Sequence, residues 1–251
     1  VLIDLHTHTR PGSPDSFLDP DELIERSKQA GLDAVVLSEH DKTWDRQDLQ
    51  ALAKRHNFLI IPGLEVSTEG GHILVYGVHR YQHFMRQSQQ LAAHVKQQQA
   101  AMIAAHPYRA HALWSWHDPD ERQRSLARAA TNPAYNHVHA VEVLNGHGSP
   151  TENKFSEDLA KFLGRPGTAG TDSHQRSDIG KAATYFDSDV GDEHDLVREI
   201  LAGRCWAVDL TAGSLTENSA RHTVPSSVAE IAPPLGKLSP NANDDCHTAH
   251  S

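Results

Sequence analysis

Leu2-Ile3-Asp4-Leu5-His6-Thr7-His8 is the stretch on which the fold turns. A short apolar run with β-branched character predicts a buried strand, and it closes on two histidines spaced i, i+2. In a strand that spacing puts both imidazoles on one face. Two neutral imidazoles converging at a strand end make half of a transition-metal site. Two ordinary loop histidines would give the same His-x-His, so the reading depends on the rest of the chain.

Working outward, Asp19 reads as an N-cap and Pro20 as the first position of a helix that Gly31 closes. Ala34-Val35-Val36-Leu37-Ser38 predicts a second buried strand ending at Glu39-His40-Asp41, and a helix follows over about 45–56. Phe58–Ile61 is a third apolar run ending at Pro62-Gly63-Leu64-Glu65, and Gly71–Gly77 a fourth strand opening with His72. A helix over 82–99 leads to Ala101–Ala105, stopped by His106-Pro107. Residues 110–136 read as a largely helical excursion. His139–Leu144, a helix near 152–163 and Gly167–Thr171 follow, the last ending at Asp172-Ser173-His174. Ala182–Phe186 and a helix over about 192–202 complete the periodic part. Strands and helices alternate, which predicts an α/β fold with a mainly parallel sheet; seven or eight strands in this length suit a barrel. From about Ala212 the composition turns to Ser, Thr, Pro, Asn and Asp, so the expected organisation is a domain over 1–211 and a loosely packed or disordered tail over 212–251.

The 251 residues carry a formal charge of −10 with no basic run, which argues against nonspecific duplex binding. Cys205 and Cys246 form neither a disulfide framework nor a cysteine zinc site. Neither a signal peptide nor an apolar run long enough to span a bilayer is read, so the cytoplasm is the expected compartment. What stands out is 19 histidines. His6, His8, Glu39, His40, Glu65, His106, Asp172 and His174 all follow predicted strands, and His72 begins one. Catalytic groups of parallel α/β barrels gather at the C-terminal ends of the strands. Repetition at that address predicts a polynuclear metal site.

His6-Thr7-His8, Ser38-Glu39-His40-Asp41, Pro62-Gly63-Leu64-Glu65, Gly71-His72, Ala105-His106-Pro107 and Gly170-Thr171-Asp172-Ser173-His174 resemble, in order and over roughly 1–210, the motifs of the PHP (polymerase and histidinol phosphatase) superfamily. The resemblance implies a distorted seven-stranded (β/α) barrel and a phosphoesterase site with two or three zinc, manganese or iron ions. It further implies that His6, His8, Glu65 and Asp172 hold one metal. His40 and His174 hold a second with a side chain from the loop after His8, where this chain offers Asp15 and several relatives have histidine. Glu65, His72 and His106 hold a third. Glu39 is expected to orient His40 rather than bind metal.

Bridged metals supply hydroxide near neutral pH and neutralise phosphoryl charge. Asp172 is then the expected proton acceptor or water-orienting group, and His174 the expected proton donor to the leaving group. Arg109 and Arg10 are the candidate phosphate-binding cations, with Lys42 behind them. His111, His117, His137, His139 and His147 surround a possible lid, and Trp114 and Trp116 read as core before substrate stack. Gly167-Thr168-Ala169-Gly170 reads as close packing at a strand. The leading expectation is a metal-dependent phosphoesterase for a small phosphorylated metabolite or nucleotide. The alternatives are a nuclease or oligonucleotide phosphatase of the same fold, a metallohydrolase of C–N or C–O bonds, and a catalytically silent barrel that binds a metal or a partner.

Overall fold

The computed structural model describes residues 1–111 and 118–211. The expected tail over 212–251, with Trp114, Trp116 and His117, lies outside the described residues.

The chain begins with β1 (Leu2–Thr7), α1 (Pro20–Gln29), β2 (Ala34–Leu37), α2 (Arg46–His56) and β3 (Leu59–Pro62). A hairpin of β4 (Leu64–Thr68) and β5 (Gly71–Tyr76) comes next, then α3 (Ser88–Gln97) and β6 (Ala101–Ala104). The second half holds α4 (Pro119–Ala130), β7 (Ala140–Asn145), α5 (Pro150–Leu163), β8 (Gly167–Gly170), β9 (Ala182–Tyr185), α6 (Glu193–Leu201) and β10 (Trp206–Asp209). The cap signals act as expected at α1: Asp19 accepts a hydrogen bond from the Asp21 N–H and Pro20 opens the helix. Ser149 and Glu152 form a reciprocal capping box at α5.

The structure departs from the expected mainly parallel barrel. Its strands form two mixed sheets of five, in the orders β10-β9-β1-β2-β3 and β4-β5-β6-β7-β8, with no closed sheet among the described residues. Pairs β1–β2, β2–β3, β6–β7 and β7–β8 are parallel. Pairs β1–β9, β9–β10, β4–β5 and β5–β6 are antiparallel. Two of the expectations shift as a result. Glu65 does not end the third strand but sits second in β4, and β10 was not anticipated at all.

The sheets meet at two seams, each a single isolated bridge rather than a ladder. At one, Thr7 pairs with Ser173, the Asp172 N–H donates to the His6 carbonyl at 2.7 Å, and the His8 N–H donates to Ser173. At the other, His40 pairs with Glu65, and the Glu65 N–H donates to the Glu39 carbonyl at 3.0 Å. Gly63 makes the break between β3 and β4; a Cβ there would lie 2.5 Å from Val36 Cγ1. Where ladders lapse, side chains and backbone groups are freed to face inward, and the histidines lie at these seams.

Strands β1, β2 and β6 are buried almost throughout, as expected for strands covered on both faces. Leu23, Ile24, Leu49 and Leu52 seal α1 and α2 against β2 and β3, and Phe155 and Leu159 seal α5 against β7. No described helix is long and apolar enough to cross a membrane.

Candidate metal centre

The geometry of the centre begins with hydrogen bonds that fix imidazole tautomers. His6 Nδ1 lies 2.9 Å from Glu142 Oε1, and a carboxylate can only accept, so Nδ1 carries the proton. Ser13 Oγ lies 2.5 Å from Glu39 Oε2 and donates to it. The same oxygen then accepts from His8 Nδ1 at 3.1 Å and from the His40 N–H at 3.2 Å. In both His6 and His8 the neutral ring therefore turns Nε2, its basic atom, inward. The two Nε2 atoms are 3.0 Å apart, where a proton or a metal ion must sit between their lone pairs.

Two carboxylate oxygens face the same point. Glu65 Oε2 lies 3.4 Å from His6 Nε2 and 3.2 Å from His8 Nε2; Asp172 Oδ1 lies 3.4 and 3.3 Å from them. Both oxygens are buried without a well-aligned hydrogen-bond donor, although His40 Nδ1 approaches Glu65 Oε2 to 2.8 Å; that is an expensive state for a carboxylate. Ligands about 2.0–2.1 Å from a tetrahedral ion are separated by about 3.3–3.4 Å. The separations of 3.0–3.4 Å among His6, His8, Glu65 and Asp172 fit that geometry. Donor chemistry and the two orphaned oxygens therefore suit a cation.

Two further groupings share these residues. His8, His40 and His174 form one able to hold an ion, and Asp15 reaches it, with Oδ2 3.2 Å from His40 Nε2 and 3.4 Å from His174 Nε2. His174 Nδ1 donates to the Asp172 carbonyl at 2.8 Å, leaving its Nε2 toward Asp15. On the other side, Glu65 Oε1 lies 2.8 Å from His72 Nδ1 and 2.9 Å from His106 Nε2, while His40 Nδ1 lies 2.8 Å from Oε2. Glu65 thus touches all three groupings. The hairpin β4–β5 explains this, because its register sets Ser67 opposite His72 and brings that imidazole back over Glu65.

The electrostatics are those of a site built around positive charge. Burial opposes protonation of His6, yet the carboxylates of Asp172, Glu142 and Glu65 hold it well above the ordinary histidine value. His8 rises too, its burial outweighed by Asp172 and Glu65. Burial also opposes charge on Glu65 and Asp172, but the surrounding imidazoles hold both below the usual carboxylate range. His106 and His174 move down, chiefly through burial. The backbone pays locally: His106 (φ 26°) and Asp172 (φ 54°) both occupy the left-handed region, which costs a non-glycine residue about 1–3 kcal/mol.

The expected residues divide as follows. His6, His8, Asp15, His40, Glu65, His72, His106, Asp172 and His174 come together. Arg109 joins them, with Nη2 2.5 Å from Asp172 Oδ2 and a side chain 43% exposed. Arg10 is exposed and, among the described residues, makes no side-chain bond to the cluster; only its backbone is held, by Leu18. Lys42 is exposed as well. Glu39 does not touch the His40 ring. It accepts from Thr9, Ser13 and Trp44 Nε1, and it acts on His8 and His40 through Ser13. Gly12 makes room for it, since a Cβ there would lie 2.3 Å from Glu39 Cδ.

Sequence reasoning missed Glu142, Asn145 and Asp4. Glu142 is 1% exposed on β7, and a single acid inside Ala140-Val141-Glu142-Val143-Leu144 was the available signal. Asn145 Nδ2 bonds Glu142 Oε2 at 3.0 Å and lies 3.4 Å from Asp172 Oδ2. Asp4 accepts from the His6 and Thr171 N–H groups and the Thr171 hydroxyl, and so braces the seam. Burial pushes its carboxyl up to about 7 against those bonds.

Comparison with known proteins bears on the family and the fold. The PHP domain profile matches residues 4–141 and the PHP-associated profile residues 150–205. No curated protein matches the chain. Among solved structures, a two-domain Bacteroides vulgatus protein containing a predicted PHP-like metal-dependent phosphoesterase aligns at TM-score 0.56 and 20% identity, over 84% of this chain and 65% of that one. An amidohydrolase from Chromobacterium violaceum, with bound sulfate and no metal, aligns at TM-score 0.54 and 16% identity, over 82% and 97% of the two chains. The present chain thus spans only 65% of the Bacteroides protein's length. At such identities these structures speak for the fold alone, whereas the profile covers more than half of this sequence: the chain belongs to the PHP domain family.

Proposed function

We propose that this protein is a metal-dependent phosphoric ester hydrolase acting on a small phosphorylated metabolite or a nucleotide. The observation that carries the reading is the pair of buried carboxylate oxygens without well-aligned donors, Glu65 Oε2 and Asp172 Oδ1, facing the basic Nε2 atoms of His6 and His8. His6, His8, Glu65 and Asp172 would hold one ion; His40, His174 and Asp15 a second; Glu65, His72 and His106 a third. Zinc, manganese or iron suits this mixture of imidazole and carboxylate. When bound, such ions lower the pKa of a coordinated water and withdraw charge from a phosphoryl oxygen.

The chain's own residues supply the rest. Arg109 spends one N–H on Asp172 and is 43% exposed, so its remaining donors can take a phosphate oxygen from the solvent side. Asp172 would orient the attacking water through its position beside the ion. His174 is better suited to holding an ion than to protonating the leaving group, because its Nδ1 proton is committed to the Asp172 carbonyl. Glu142 and Ser13 keep the Nδ1 protons of His6 and His8 in place, so both rings stay oriented.

The formal charge of −10 weighs against a long polyanionic substrate, which favours a phosphomonoester over the nuclease alternative. A silent scaffold is disfavoured because all nine candidate ligands converge. The test is turnover of p-nitrophenyl phosphate and mononucleotides after chelation and after adding back manganese or zinc. Activity that disappears and returns supports the reading; no turnover with any added ion contradicts it.

A further inference from the structure

Three buried carboxylates surround His6, and Glu142 differs from Glu65 and Asp172 in having no oxygen aimed at the point where ligand atoms meet. Its Oε1 accepts from His6 Nδ1 at 2.9 Å. Its Oε2 accepts from the His106 backbone N–H at 2.8 Å and from Asn145 Nδ2 at 3.0 Å. Every strong contact therefore runs to a group that itself holds or flanks the centre. His106 sits at φ 26°, and a charge-assisted bond to its N–H offsets the cost of that conformation. The surroundings are cut to admit this side chain: a Cβ on Gly170, which pairs with Asn145 across the β7–β8 ladder, would lie 3.0 Å from Oε1. A buried carboxylate is costly unless its bonds are complete, and these are complete.

We infer that Glu142 is a positioning residue that locks His6 and His106 together and thereby sets the metal affinity of the centre. This rests on the metal-centre reading above. Through Oε1 it keeps the His6 proton on Nδ1 and makes Nε2 the donor atom. Through Oε2 it fixes the turn from which the His106 ring reaches Glu65. It ties His6, a ligand of the first grouping, and His106, a ligand of the third, to one rigid strand position; His6, Glu65 and His106 themselves lie close enough to share an ion. Glu142→Gln cannot reproduce this. An amide has one accepting end, so its NH2 must face either the His6 Nδ1–H or the donors of His106 and Asn145.

The experiment is zinc and manganese affinity of the chelated full chain, by competition with a chromophoric chelator, for wild type and E142Q, with circular dichroism of both metal-free proteins. The expected result is a native E142Q spectrum with metal bound about 10–100-fold more weakly. Affinity within threefold of wild type would overturn the inference while leaving the centre intact. A wild type that binds no metal would instead overturn the centre itself. Should E142Q not fold, imidazole nitrogen NMR of the wild type decides. Metal at His6 Nε2 with Nδ1–H retained and hydrogen-bonded is expected, and metal at Nδ1 overturns the role.

Discussion

Gly170 offers a quantitative test of how tightly the two sheets are joined behind the histidines. A Cβ at this position would lie 2.4 Å from His6 Cβ and 2.9 Å from the His6 backbone nitrogen. Carbon atoms rest comfortably at about 3.5–4.0 Å, so Gly170→Ala creates an overlap of about 1.1–1.6 Å. Neither neighbour is the free end of a flexible chain. Relief requires β1 and β8 to part where the Asp172 N–H bonds the His6 carbonyl at 2.7 Å. Overpacking of this kind costs about 1–3 kcal/mol. At about 2–4 °C per kcal/mol for a domain of this size, Tm should fall by about 2–12 °C. Gly191→Ala is the matched control, since its Cβ would meet only Asp195 Oδ2 at 3.6 Å; there the stiffer unfolded chain should leave Tm unchanged or raise it slightly. The assay is thermal denaturation in chelator, repeated with added metal. G170A melting within 1 °C of wild type, with equal metal-induced stabilisation, would refute the tight seam.

Two further outcomes follow from named contacts. Arg109→Ala should lower kcat/KM for phosphate esters about 10–100-fold, the worth of a lost charge-assisted hydrogen bond, with Arg109→Lys recovering only part because it lacks the planar fork; steady-state kinetics at fixed metal reads this, and a change under twofold would remove Arg109 from substrate binding. His56 closes α2 and bonds Asp21 at 2.5 Å and Glu25 at 2.8 Å on α1; the Asp21 bond foremost, then Glu25, raises its pKa against a modest burial cost. A raised histidine pKa stabilises the fold fully below about 6.5 and loses that contribution as pH climbs through the folded value. His56→Gln should therefore melt below wild type at pH 6, with the gap closing at high pH; a gap that widens with pH would reverse the sign.

Much of the centre was legible because its ligands stand at strand ends, and strand ends are marked by abrupt changes from apolar to polar residues. Ala34–Leu37 followed by Glu39-His40, or Ala101–Ala104 followed by His106-Pro107, needs no tertiary knowledge. Strand direction leaves no such mark: Ala182–Tyr185 reads as one more buried strand whether it runs with β1 or against it, so the mixed sheets were not visible. The β4–β5 hairpin was hidden for a related reason. In the sequence Pro62-Gly63-Leu64-Glu65 reads as the end of the third run, whereas Gly63 interrupts the ladder and a new strand starts one residue before Glu65. β10 is four residues long, too short for a period to show. Glu142 was hidden by its surroundings, since one acid in an apolar strand has no partner until folding brings His6 within 2.9 Å. The Gly167–Gly170 run reads as close packing, and the structure gives the reason: Val143 crowds Gly167 and His6 crowds Gly170.

On this reading the buried oxygens of Glu65 and Asp172, with the inward nitrogens of His6 and His8, hold metal for phosphoester hydrolysis. Elemental analysis of protein purified without chelator, paired with p-nitrophenyl phosphate turnover, tests it most directly, with His6→Ala and Asp172→Ala alongside. Two or three ions per wild-type chain are expected, fewer in each variant, with turnover lost in both. A metal-free wild type that gains no activity from added zinc, manganese or iron would contradict it.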